Sequence, residues 1–286
     1  MSVTPYFPPI ADQMLALTSV ARLAELADLP AFDAATLDLA RAILDQSGAF
    51  CAEQLVPLNR VGDRVGARMQ DGRVTLPSGF REAHRAWIDG GWGTLAADPE
   101  YGGQGFPFVL SVALLEQVAS ADMAFSLVSM LTSGAIEAIR THGAYDLKRT
   151  FLPRLVSGEW TGTMSLTEPQ AGSDVGAIRT RALHKADGSY SILGTKIFIS
   201  WGDHELADNI IHLVLARLPG APEGTKGISL FLVPKNLVGA DGSIGRRNDV
   251  VCLGLEHKLG IRASPTCTME FGANGDCIVS ADGRRR

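Results

Sequence analysis

Cysteine is scarce in this sequence. The 286 residues hold four, Cys51, Cys252, Cys267 and Cys277, and no CxxC pair. That scatter argues against a disulfide framework or a thiolate metal site, and it fits buried thiols in a reducing cytoplasm. No uninterrupted apolar run approaches the ~18 residues of a membrane-spanning helix. The opening Met1-Ser2-Val3-Thr4-Pro5-Tyr6-Phe7-Pro8-Pro9 has neither a basic leader nor an apolar core, so the sequence predicts no signal peptide and a cytoplasmic location. Positive charge is not in excess: 26 Lys and Arg against 31 Asp and Glu leave −5, which argues against a general nucleic-acid or anionic-membrane binder. Three familiar signatures also fail. Gly102-Gly103-Gln104-Gly105 lacks the GxGxxG spacing, Gly224-Thr225-Lys226-Gly227 lacks Walker spacing, and His204-Glu205 is followed at 208 by Asp rather than His. Internal repeats and low-complexity tracts are missing too.

What is present is a folded chain: 46% of residues are hydrophobic and 20% charged, and the length suits about two domains. Residues 10–29 read as a short helical extension that Pro30 interrupts. From Ala35 to Val56, Leu37, Ala40, Leu44, Cys51 and Leu55 keep helical spacing, and Pro57 is expected to end that helix. Asp71-Gly72 is a turn signal. A helix over Ser78 to Asp89 places Phe80, His84 and Trp87 on one side, with His84 read as a packing residue. Pro107 suits a helix start, and two helices follow, Phe108 to Ser120 and Asp122 to Ile139. Both are apolar nearly all round, so they are expected to be buried at the centre of a helical domain. Within the first, Glu116 is read as a paired acid or an exposed turn rather than a catalytic group. Tyr145 to Leu155 forms the last helix.

From residue 161 the hydrophobic period changes from 3.6 to two. Strands are expected near 161–167, 178–184, 189–193, 195–201, 209–217, 227–234 and 266–272, with Asp187-Gly188 as a tight hairpin turn. Several short strands in succession predict a barrel or sandwich. Two of them carry chemistry. In Thr161-Gly162-Thr163-Met164-Ser165-Leu166-Thr167, the hydroxyls of residues 163, 165 and 167 share one face and Met164 and Leu166 the other. Pro169 breaks the strand, and the loop offers Gly172, Ser173 and Asp174, whose N–H groups and short hydroxyls suit a flat, acceptor-rich ligand. In Gly194-Thr195-Lys196-Ile197-Phe198-Ile199-Ser200-Trp201, the same period groups Lys196, Phe198 and Ser200 against Ile197, Ile199 and Trp201. A ring and a hydroxyl two residues apart could lie along a planar heterocycle. Each pattern alone also describes an ordinary half-buried strand.

Taken together, Thr167-Glu168-Pro169-x-Ala171-Gly172-Ser173-Asp174 and Gly194-x-Lys196-x-Phe198-Ile199-Ser200 resemble the flavin-binding signature of the acyl-CoA dehydrogenase family. The resemblance extends to Gly91-Trp92-Gly93, Tyr101-Gly102-Gly103-Gln104-Gly105, the run from Lys226 to Pro234, and Glu256-His257-Lys258-Leu259-Gly260-Ile261-Arg262. Ile210 to Pro219 is similar to the branch that contains 3-methylmercaptopropionyl-CoA dehydrogenases.

The resemblance implies an α+β protein: an N-terminal all-α helical domain (35–160, after an extension 1–34) followed by an antiparallel β-barrel domain (161–280). The family's C-terminal four-helix domain, which carries its catalytic Glu, is absent, so 281–286 reads as a truncated tail, the chain alone is expected to be inactive, and no catalytic residue is nominated. The resemblance further implies FAD as cofactor, bound by Met164, Ser165, Leu166, Thr167, Phe198, Ile199 and Ser200, with Thr167 on the flavin pyrimidine side and Ser200 Oγ near N5. Many family members have Trp and Thr where this chain has Phe198 and Ser200, a change that keeps the chemical type. Ser173 would meet the CoA portion of an acyl-CoA substrate, an electron-transfer flavoprotein would accept the electrons, and the full-length protein would form homo-oligomers. No metal site is expected.

Overall fold

The computed structural model describes residues 6–186, 188–239 and 241–279. The N-terminal half is helical: α1 (Ile10–Ser19), α2 (Leu23–Ala27), α3 (Leu37–Phe50), α4 (Val56–Val65), α5 (Phe80–Asp89), α6 (Phe108–Ala121), α7 (Met123–His142) and α8 (Tyr145–Ser157). A small hairpin of β1 (Arg68–Gln70) and β2 (Arg73–Thr75) interrupts them. Its turn is Asp71-Gly72 with φ of 52° and 71°, the pair of left-handed residues that a tight two-residue hairpin requires.

Pro57 does not end the long helix. A π-helical turn, Cys51–Leu55, intervenes, and Val56 N donates to Cys51 O instead of to a residue four back. Widening the helix there absorbs the missing proline N–H near the start of α4, so the chain stays helical to Val65. The two central helices are less buried than their composition predicts. α6 exposes Phe108 and Val112 one turn apart, and α7 exposes Met123 and Met130. Phe108, Val112 and Met130 line a cavity rather than a packed neighbour. Glu116 is exposed and accepts a hydrogen bond from Gln13 Nε2 at 2.8 Å.

The strands that follow are β3 (Trp160–Ser165), β4 (Arg181–His184), β5 (Tyr190–Ser200), β6 (Asn209–Arg217), β7 (Ile228–Pro234), β8 (Asn236–Val238), β9 (Ile244–Arg247), β10 (Val250–Leu255), β11 (Thr266–Phe271) and β12 (Ile278–Val279). Eight form one curled sheet in the order β10-β11-β5-β4-β6-β3, with β7 beside β6 and β12 beside β5. The expected antiparallel barrel is corrected to a mixed sheet, a half-barrel, because β3 runs parallel to β6 from Trp160↔Asn209 to Ser165↔Val214. The chain leaves β3 by a long loop and returns through β4 and β5 before β6 settles beside it, so the two strands run the same way. The two strands expected at 189–193 and 195–201 are a single β5 that runs through Gly194. Its first half pairs with β4 and β12 and its second with β11. The β4–β5 hairpin closes tightly beyond His184↔Tyr190, as expected: Lys185 N donates to Ser189 O at 2.9 Å, and Gly188 N, at φ of 85°, donates to Lys185 O at 3.1 Å. Asp187 lies outside the described residues, as do residues 280–286.

One apolar core fills the helical half and reaches across to Trp201, Leu206 and Ala263. A second fills the curl of the sheet, and a third lies between α7, α8 and the strands β3, β6 and β7. β3 sits hard against α7: a Cβ added at Gly162 would stand 2.3 Å from Ala135 Cβ, so only glycine permits that approach. The four thiols are buried and unpaired.

Candidate functional site

The two nominated segments meet. Thr167 O accepts from Ile197 N at 2.9 Å, Thr163 Oγ1 donates to Ser200 O at 2.7 Å, and Lys196 Nζ donates to Leu166 O at 3.0 Å. β3 and β5 are not ladder neighbours, so these bonds lace together the ends of strands that β6 and β4 hold apart within the sheet.

The alternation along β3 holds. Thr161, Thr163 and Ser165 are buried, while Met164 and Leu166 are half-buried on the opposite face. Hydroxyls at 163 and 165 therefore point into the curl of the sheet, and Ser165 Oγ has no partner there. The start of β3 is also pinned. His204 Nδ1 accepts from Leu206 N, so the neutral ring carries its proton on Nε2 and donates it to Thr161 Oγ1 at 3.0 Å.

Along β5 the alternation breaks. Phe198 has φ of 59°, and the pairing with β11 slips between Cys267↔Ile199 and Met269↔Lys196. This bulge turns Lys196 and Ile199 to the same inner side, three residues apart, and throws Phe198 outward, 57% exposed. Lys196 therefore does not share a face with Phe198, contrary to the period-two expectation. A left-handed conformation at a bulky residue costs about 1–2 kcal/mol, and such strain clusters at functional sites. Half-buried Thr167 and Ser200, with exposed Phe198, remain at the surface. Ile199 and Ser165 are buried, at 2% and 0% exposed. Ser173 stands exposed on the loop beyond.

Sequence periodicity missed the group that holds this arrangement. Glu168 and Lys196 form an ion pair at 2.8 Å, their side chains 3% and 0% exposed. Glu168 Oε1 also accepts from Thr180 N at 3.0 Å, and Oε2 accepts from Arg179 N at 2.6 Å and Gln170 Nε2 at 2.7 Å. Burial pushes this carboxyl up, but the donors from Lys196, Thr180 and Arg179 outweigh it and hold it at about 2. Burial lowers Lys196, opposed by Glu168. A charged residue inside each of the two family-like runs was the available signal; only the bulge at Phe198 brings them together.

A cavity of about 1030 Å³ lies elsewhere, in the helical half, lined by Trp87, Phe106, Leu115, Met130, Ile136 and Trp160 among others. Residues 164–167 and 198–200 do not line it. His84 does, buried against Phe125, and burial lowers its pKa to about 4. Among the described residues no group of three His, Cys, Asp or Glu could hold a metal ion, and no helix is long and apolar enough to cross a membrane.

Two family models match the chain: the acyl-CoA dehydrogenase N-terminal domain over residues 38–159 and the acyl-CoA dehydrogenase middle domain over residues 163–273. A 3-methylmercaptopropionyl-CoA dehydrogenase of Ruegeria pomeroyi is 48% identical over 93% of this chain and 45% of its own length. Butyryl-CoA dehydrogenase from Megasphaera elsdenii superimposes with a TM-score of 0.66 at 25% identity, covering 86% of this chain and 58% of that one. An acyl-CoA dehydrogenase complexed with FAD from Bacillus anthracis shares the fold, with a TM-score of 0.68 at 22% identity over 86% of this chain and 37% of that one. The chain thus spans less than half the length of the Ruegeria relative. With both models in the family's order, and the two signature segments hydrogen-bonded to each other, the chain belongs to the acyl-CoA dehydrogenase family.

Proposed function

We propose that this chain supplies the flavin-facing part of an FAD-dependent enzyme that introduces an α,β double bond into an acyl-CoA thioester, 3-methylmercaptopropionyl-CoA being one candidate. An electron-transfer flavoprotein is the proposed acceptor, and a homo-oligomer the proposed assembly. One observation carries the reading. Phe198 stands outward in a strained backbone conformation, and the hydroxyls of Thr167 and Ser200 beside it have no hydrogen-bond partner among the described residues. An aromatic face flanked by two uncommitted hydroxyls fits a planar, acceptor-rich ring.

When bound, FAD would accept the hydride lost from the β carbon. The residues here do the positioning. Thr167 Oγ1 and Ser200 Oγ would donate to ring acceptors, Phe198 would cover one edge, and Met164 and Leu166 would exclude water from the strand side. Removal of the α proton needs a desolvated carboxylate of raised pKa. Glu168 is unsuited to that step, since it is saturated by four donors and held at about 2. The apolar cavity in the helical half offers room for an acyl chain.

Flavin fluorescence tests the proposal. Adding this chain to FAD is expected to quench the flavin and shift its visible absorption, and F198A is expected to weaken that binding while leaving thermal stability unchanged. FAD that stays fully fluorescent in excess wild-type protein would sink the assignment.

A further inference from the structure

Arg217 closes β6 and is the residue through which β6 touches β4, pairing with Arg181. Its guanidinium bonds to backbone carbonyls. Nε donates to Ile178 O at 3.0 Å, Nη1 to Pro222 O at 2.9 Å, and Nη2 to Gly224 O at 2.7 Å and to Gly176 O. Two of these carbonyls belong to the segment just after Ser173 and Asp174, and two to the connection between β6 and β7. No carboxylate pairs with Arg217 among the described residues. The cation therefore works as a clip between two loops.

The loops are built for close contact. A Cβ on Gly176 would stand 3.4 Å from Gly224 Cα, and one on Gly227 would stand 2.7 Å from Arg217 Nη1 and 1.8 Å from Pro222 O. The segment is also tied by Glu168, which accepts from Arg179 N and Thr180 N, and by Gln170, whose Nε2 donates to Ala177 O at 3.3 Å. Between Glu168 and the Arg217 clip, Gly172, Ser173 and Asp174 stand exposed. Only a planar fork of donors reaches four carbonyls on two loops; a lysine ammonium reaches fewer and cannot hold the same plane.

We propose that Arg217 is a positioning residue: its four bonds to backbone carbonyls fix the Ser173 loop against the 218–227 connection in the shape that receives the nucleotide end of a CoA thioester. This rests on the acyl-CoA reading above. The test compares wild type with R217K and R217M by hydrogen exchange and by equilibrium binding of butyryl-CoA, butyryl-pantetheine and FAD. Both variants are expected to exchange faster at 172–178 and 220–227 together, with β5 and β11 unchanged. R217K, which keeps the charge and guards against misfolding in R217M, is expected to weaken butyryl-CoA by about tenfold while changing butyryl-pantetheine and FAD little, as loss of charge-assisted bonds predicts. Unchanged exchange in both loops would overturn the clip. Faster exchange with an unchanged preference for the CoA thioester over the pantetheine thioester would overturn the positioning role alone. Wild type that binds neither FAD nor butyryl-CoA would overturn the ligand half together with the flavoenzyme reading.

Discussion

Replacing Lys196 by Met tests the buried ion pair. The variant keeps the length and apolar stem of the side chain but removes the ammonium that bonds both Glu168 Oε1 and Leu166 O. Glu168 would stay buried with its backbone donors and no counter-charge, and breaking one partner of a buried pair costs about 3–5 kcal/mol. The carboxyl's own titration gives a similar figure. Its pKa falls from an ordinary 4.5 to about 2 on folding, which corresponds to about 3 kcal/mol. Because the folded value is the lower one, that stability is present above pH 4.5 and is lost as pH falls through about 2, with roughly half gone near pH 3. Urea unfolding of wild type and K196M between pH 7 and pH 3 should therefore show a gap of about 3 kcal/mol at neutral pH that narrows on acidification. Thermal midpoints should differ by roughly 5–10 °C. Parallel pH curves for the two proteins, or a gap below about 1 kcal/mol at pH 7, would refute the claim that this pair holds the two segments together.

Two further outcomes follow from buried groups. Asp122 caps α7, its Oδ1 accepting from Phe125 N at 3.0 Å while Oδ2 has no partner. Burial, only partly offset by the N–H groups of Phe125 and Ala124, raises its carboxyl to about 6. A raised acid penalises the folded state progressively as pH rises from its ordinary 3.8 to about 6, and fully above that, so D122N, which keeps the cap, should match or exceed wild-type stability at pH 8 and lose that advantage below pH 4, read by chemical denaturation. Gly162→Ala forces a methyl group against Ala135 and should cost about 1–3 kcal/mol, visible as a lower melting temperature; an unchanged midpoint would show that α7 and β3 can part freely.

Much of this molecule was legible in its residues. Asp71-Gly72 marks a turn whose chemistry is local, and the hydroxyl alternation along β3 follows from a period that no tertiary contact disturbs. The change from helical spacing to period two near residue 160 likewise reflects which face each side chain must bury. Order within the two motif runs carried the family, because a loop that offers N–H groups and hydroxyls must be spelled in small and polar residues.

Tertiary structure decided the rest. Pro57 passes through a helix because a π turn widens it, a choice made by packing rather than by local preference. β3 beside β6 is parallel because the return path of the chain is set by where β4 and β5 find partners. Phe198 points outward and Lys196 inward because β11 imposes a bulge on β5. The pair Glu168 and Lys196 and the clip at Arg217 join residues far apart in sequence. Periodicity describes which way a side chain faces along one strand; it does not encode what another strand, folded back against it, will place opposite.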